Sequence, residues 1–182
     1  MRKFTQKNNN GFTLVETLVA ISIFSLSILG LLSILSQGIA DTGYAKKKIT
    51  ATYLAQEGIE YIRNTRDTYV LYPGATTNWT IFQTKLSSCL SGGAECGFDD
   101  SVAETSVGSV FQCSLSASQC KLYVNNGGYD NNTAGTDSGF VRKIWVTIIS
   151  PNEMRIFSDV SWQQGSGNYD ITFSEDLFNW VQ

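Results

Sequence analysis

Histidine is missing from all 182 residues. The side chain that most often serves as a general base near neutral pH, and as a neutral metal ligand, is therefore unavailable. No Ser-His-Asp or Cys-His arrangement can be assembled, and there is no glycine-rich phosphate loop or zinc-hydrolase motif. Carboxylates at Glu57 and Glu60, Asp99-Asp100 and Glu175-Asp176 have no nucleophile or ligand cluster beside them, and solvated charge is the expected role. The composition thus predicts a protein that is not an enzyme. Proline is also scarce, with 2 residues, Pro73 and Pro151, so long unbroken elements are permitted. Basic charge is the third shortage. Thirteen Lys and Arg face sixteen Asp and Glu, and Arg2, Lys3 and Lys7 lie before Gly11, leaving ten against sixteen beyond it. That acidic balance argues against a nucleic-acid partner, and Lys46-Lys47-Lys48 is too short a cluster to reverse it.

Charge is absent again over residues 17–35, TLVAISIFSLSILGLLSIL, which also contain no proline. As a helix this run would be about 28 Å long, close to the roughly 30 Å of a bilayer's hydrocarbon core. Ser22, Ser25, Ser27 and Ser33 can return their hydroxyls to carbonyls one turn earlier. No polar stripe interrupts the run, unlike that of a buried core helix. Arg2, Lys3 and Lys7 precede it without an intervening acid, which predicts a single pass with the N-terminus cytoplasmic and the bulk of the chain outside. A secretory signal fits less well, because no small-x-small cleavage site follows cleanly. The front edge is unusual, since Glu16 stands inside the apolar run at a cost of roughly 3 kcal/mol if it faces lipid alone. The carboxylate becomes reasonable if the chain begins at Phe12. A new α-amine would then lie about one helical turn away, and Glu16 would occupy the first turn, where the helix dipole favours it. In an assembly it could instead neutralise the amine of a neighbouring subunit.

Lys7-Asn8-Asn9-Asn10-Gly11 followed by FTLVETLVAISIF resembles the class III leader and N-terminal helix of type IV pilins and type II secretion pseudopilins. The resemblance implies cleavage after Gly11 by a membrane prepilin peptidase, N-methylation of Phe12, and Glu16 as the carboxylate that sets assembly register. It further implies partners among other pilin or pseudopilin subunits, an assembly platform and membrane lipid, with storage in the cytoplasmic membrane before transfer to a surface or periplasmic filament. Major pilins often carry a helix-perturbing proline farther along; Ser33 stands there in this chain, with Gly30 and Gly38 nearby to loosen the helix. The stretch Leu54-Ala55-Gln56-Glu57-Gly58-Ile59-Glu60 and the ending SWQQGSGNYDITF with its Leu-Phe-Asn-Trp tail are similar to minor pilins.

Beyond the apolar run the helix is expected to continue to about residue 69, with Pro73-Gly74 as the stop. Ala51, Ala55, Gly58, Ile59 and Ile62 recur at helical spacing as one apolar face. Glu57, Glu60, Arg63 and Asp67 mostly fall away from it, with Arg63 within reach of both Glu60 and Asp67. Residues 78–86 read as a short helix or strand, with Trp79, Ile81 and Phe82 as core contacts; 92–100 reads as a loop and 107–115 as a strand. Strands are expected at 122–124, 140–149, 154–163 and 169–178, with turns at Pro151-Asn152 and at 165–168. The predicted fold class is α+β: a long N-terminal helix, membrane-spanning in its first half, packed against a C-terminal antiparallel sheet. The expected divisions are a leader at 1–11, a membrane or filament-core helix at 12–35, its amphipathic continuation at 36–69 and an extracytoplasmic domain at 70–182.

Cysteines stand at 89, 96, 113 and 120, and an even number beyond a membrane run predicts disulfides in an oxidising space. Of the three complete pairings, Cys89 with Cys96 and Cys113 with Cys120 is favoured because each closes a short loop. A four-thiolate zinc site fits poorly, since six residues separate each pair. No cofactor is expected. Calcium has one weak candidate loop, 125–137, where Asp130 and Asp137 are the only carboxylates and the EF-hand order is missing, so a plain hydrophilic turn is preferred. Asn78-Trp79-Thr80 and Asn131-Asn132-Thr133 are formal glycosylation acceptors. The function expected is that of a filament subunit, the alternative being a signal-anchored ligand-binding domain that does not polymerise.

Overall fold

The computed structural model describes residues 11, 13–72, 78–90, 92, 95–100, 109–113 and 117–180. The basic leader residues Arg2, Lys3 and Lys7, the expected methylation residue Phe12 and the Pro73-Gly74 stop lie outside them. The chain divides into two compact units, Met1–Tyr44 and Ala45–Gln182. One helix, α1 (Leu14–Leu71), runs through 58 residues and contributes to both. Its continuity follows from the absence of proline, and neither Gly30 nor Gly38 interrupts it.

In the first unit the apolar side chains of α1 from Leu14 to Ile39 are exposed. This is the described helix that is long and apolar enough to cross a membrane. Its hydroxyls do not disturb it, because Ser22 and Ser27 donate to the carbonyls of Leu18 and Ile23, each at 2.8 Å.

The second unit is built on the remainder of α1 and a seven-stranded sheet. Strands β5 (Thr136–Ser150), β6 (Glu153–Gln164) and β7 (Gly167–Phe178) form an antiparallel meander in continuous register. Their period-two pattern sends Phe140, Arg142, Ile144 and Val146 of β5, and Met154, Ile156, Ser158, Val160 and Trp162 of β6, to one buried face. Against it α1 buries Ala51, Leu54, Ala55, Gly58, Ile59, Tyr61, Ile62, Thr65 and Tyr69. The free edge of β5 is shared by two hairpins. β3 (Lys121–Asn125), which pairs with β4 (Gly128–Asp130), takes its first half; β1 (Cys96–Phe98), paired with β2 (Val110–Gln112), meets it through Cys96 and Ile144. Residues 78–86 resolve as a helix, α2 (Trp79–Lys85), because the Asn78 carboxamide accepts from the Ile81 amide at 3.0 Å and caps it. Trp79 and Phe82 are buried, and Ile81 packs against the core.

Four expectations need correction. The stretch 92–100, read as a loop from its glycines and acids, contains β1, whose three residues are all buried. Pairing and a disulfide override weak local propensity there. The hydrophilic turn at 125–137 contains β4: Asn126 and Gly127 have φ of 49° and 85°, the two positive values a type I′ hairpin needs. Arg63 pairs with Glu60 and Glu175, and Asp67 pairs with Arg66 instead. Glu175 and Asp176 are ion-paired in β7, to Arg63 and Arg155, rather than free in solvent.

Candidate functional site

The sequence places its strongest functional signal at the front edge of α1, and the local geometry there is simple. Thr13 precedes the first helical residue, Leu14. The Glu16 amide donates to the Thr13 hydroxyl at 3.3 Å, and the Thr17 amide donates to the Thr13 carbonyl at 3.2 Å. These two bonds make Thr13 the N-cap and Glu16 the third helical residue. Thr13-x-x-Glu16 is therefore the sequence of a capping box. The signal for it in the sequence is a threonine three residues before a glutamate at the start of an apolar run. Glu16 is exposed in the first turn of the helix, next to amides that have no partner within the helix, where a negative charge is favoured. Gly11 is exposed and lies outside the helix.

The cysteines are all in the second unit. Cys89 is joined to Cys96, and Cys113 to Cys120, with Cα atoms 5.4 Å apart in each pair. The first bridge ties the turn after α2 to β1; the second ties the end of β2 to the start of β3. Asp130 and Asp137 lie opposite the same residue, Tyr123, on the two sides of β3. Each is already engaged: Asp130 accepts from Asn125 at 2.6 Å and from the Asn132 amide at 2.9 Å, and Asp137 from Lys121 at 2.6 Å and the Gly139 amide at 2.9 Å. The Lys121 ammonium and these hydrogen bonds hold the Asp137 carboxyl below its ordinary range. Among the described residues no group of three or more His, Cys, Asp or Glu could hold a metal ion.

One charged residue inside the second unit escaped the sequence reading. Arg142 is only 3% exposed on the inner face of β5. Its guanidinium donates to the Glu57 carboxylate at 2.7 Å and to the Leu54 carbonyl at 3.4 Å, and it lies 3.8 Å above the Phe98 ring. Tyr61 also stacks on that ring, with centroids 4.0 Å apart. Burial pushes the Arg142 pKa down, and Glu57 opposes the shift. Glu57 is therefore the counter-charge of a buried cation, while its own side chain remains partly exposed. The arrangement fastens α1, β1 and β5 to one another.

Residues 6–32 match the family model described as the prokaryotic N-terminal methylation motif. No curated protein and no solved structure matches the chain. The matched segment covers the front edge built above, with Gly11, the Thr13 cap and Glu16, and most of the exposed apolar run. This motif, together with an N-terminal apolar helix that packs farther along against a C-terminal antiparallel sheet, matches the pattern of the pilin and pseudopilin family.

Proposed function

We propose that the chain is a minor structural subunit of a type IV pilus or type II secretion-like filament, stored in the cytoplasmic membrane with its N-terminus cytoplasmic. The observation that carries this reading is the first unit. An apolar helix lies exposed from Leu14 to Ile39, has Glu16 as its one charged residue over that span, and coincides with the methylation motif. Such a surface has to be covered by lipid or by other helices. Both coverings belong to a subunit that leaves the membrane for a filament.

In this mechanism a prepilin peptidase removes residues 1–11, and the new amine of Phe12 is methylated. Burying the apolar side chains of α1 between subunits, at roughly 25 cal/mol per Å², drives packing. Glu16 fixes register, because a mismatched subunit would leave its carboxylate unpaired in a dry core. The basic leader opposes that pairing until it is cut. The second unit is carried outside the cytoplasm, and its two disulfides suit an oxidising space. The role is mechanical and not catalytic, in keeping with the methylation motif and with the absence of histidine.

The test is the intact mass and N-terminal residue of the protein produced with and without its host's prepilin peptidase. A product that begins at Phe12 and is heavier by one methyl group is the expected result. A chain that still begins at Met1, or is cut far beyond Leu35, would sink the filament reading and leave the signal-anchored binding domain.

A further inference from the structure

Three lysines follow the apolar run on α1, at 46, 47 and 48, the first of them seven residues after Ile39. Consecutive residues of a helix point about 100° apart and rise about 1.5 Å each. The triplet therefore does not form a stripe, as charges at every third or fourth position would. It sends Lys46 and Lys48 to nearly opposite sides of the helix at almost the same level, and both are exposed. Lys47 points between them and is half-buried, its ammonium donating to the Gln163 carbonyl at 2.8 Å.

That bond brings the β6–β7 turn beside the triplet. Residues 163–169, which make the turn and its flanks, carry no charge, and α1 has no acid between Asp41 and Glu57. Counting Asp41 against the three lysines still leaves a positive surplus. A partner protein lies against one side of a helix, whereas lipid headgroups surround it. Ammonium groups on opposite sides, a short way along the helix from side chains that lipid has to cover, match the second geometry.

Resting on the membrane reading above, we infer that Lys46 and Lys48 form a belt that binds the phosphates of anionic phospholipids in the extracytoplasmic leaflet, with Lys47 fixing the belt to the β6–β7 turn. Each phosphate accepts from an ammonium, so the contact is electrostatic and charge-assisted. It belongs to the stored subunit and is given up when the helix passes from lipid to filament.

The experiment places the full-length chain in phosphatidylcholine vesicles and compares its association with trace spin-labelled phosphatidylglycerol and phosphatidylcholine. Replacing both residues, Lys46→Gln with Lys48→Gln, should lower the preference for phosphatidylglycerol about fivefold. Lys46→Arg with Lys48→Arg should keep it, and about 1 M salt should erase most of the difference between wild type and the glutamine variant. Lys85→Gln, the same change on α2, should have no effect; the leader's bases are present in every chain and cancel from the comparison. Equal preference in wild type and the glutamine variant would overturn the inference, as would an arginine variant that loses as much. Displacement by millimolar glycerol phosphate would overturn the lipid assignment in favour of a soluble phosphate. A preference that disappears when the chain is diluted in the bilayer would overturn it in favour of a protein surface. A chain that does not float with the vesicles is a separate failure, that of the membrane reading on which the belt rests.

Discussion

Gly58 shows how closely the helix and sheet of the second unit approach. A Cβ at that position would stand 2.3 Å from the Ser158 hydroxyl oxygen and 3.1 Å from its Cβ. Glycine costs a helix interior about 1 kcal/mol relative to alanine, and here it accepts that cost so that α1 can lie against β6. Gly58→Ala should recover the propensity term and lose more to overpacking, which typically costs about 1–3 kcal/mol. Ser158 offers a second handle, since its hydroxyl is fully buried with no hydrogen-bond partner among the described residues. Ser158→Ala is therefore expected to be neutral or stabilising by up to about 1 kcal/mol. The double substitution should be less destabilised than Gly58→Ala alone, because the worst contact is gone. Denaturant midpoints of the four detergent-solubilised chains measure this coupling directly; strict additivity would show that Ser158 is not the obstacle. Arg142 illustrates a different limit at the same scale. Its position in FVRKIWVTII is in phase with Phe140, Ile144 and Val146 and places it on the inner face. Nothing local names Glu57 and Phe98 as its partners, which come from α1 and β1.

Among the elements, the β1–β2 hairpin has the least support of its own. Its strands have three residues each, and its backbone pairs with β5 at one position, Cys96 with Ile144. Ladders this short are marginal alone, so the disulfides are assigned much of the work of holding it. Each closes a loop with a sequence separation of 7, for which a stabilisation of about 2–3 kcal/mol is expected. Replacing Cys89 and Cys96 together by alanine should lower stability by about that amount. The loss should be uneven: hydrogen exchange is expected to speed up in β1 and β2 while the β5–β6–β7 ladders stay protected. Uniform acceleration through all the strands would instead make the hairpin part of one cooperative unit. The meander itself was readable from period-two alternation and from the turns at Pro151-Asn152 and at 165–168, the last two residues of which belong to β7. In the second of these, Gly165 has φ of 58° and joins strands in register from Gln164 to Gly167, as a two-residue hairpin demands. β1 and β4 were not readable, because three-residue strands rich in glycine and acid carry no periodic signal.

At the scale of the whole molecule, the two units obey different solvents. Residues from Leu14 to Ile39 expose apolar side chains that water penalises, whereas the second unit has a core of its own. On the filament reading, Glu16→Ala should leave membrane insertion intact, since it removes a charge from the apolar run. It should abolish incorporation into filaments, because register is lost; the fraction of subunit sheared from cells with filaments measures this. Normal incorporation of the alanine variant would remove Glu16 from the assembly mechanism. The sequence by itself determined what depends on near neighbours along the chain: the apolar run, its carboxylate edge, the helical face of Ala51, Ala55, Gly58 and Ile62, and the alternating strands. Bilayer thickness, helix period and strand period are local rulers, so a linear reading can apply them. Tertiary structure alone decided that β5 shares one edge between two hairpins, that Glu57 neutralises a buried Arg142, and that Gly58 meets Ser158. Those partners lie 85 residues apart in the case of Glu57 and Arg142. At such separations burial and backbone pairing choose the contact, and no local propensity encodes it.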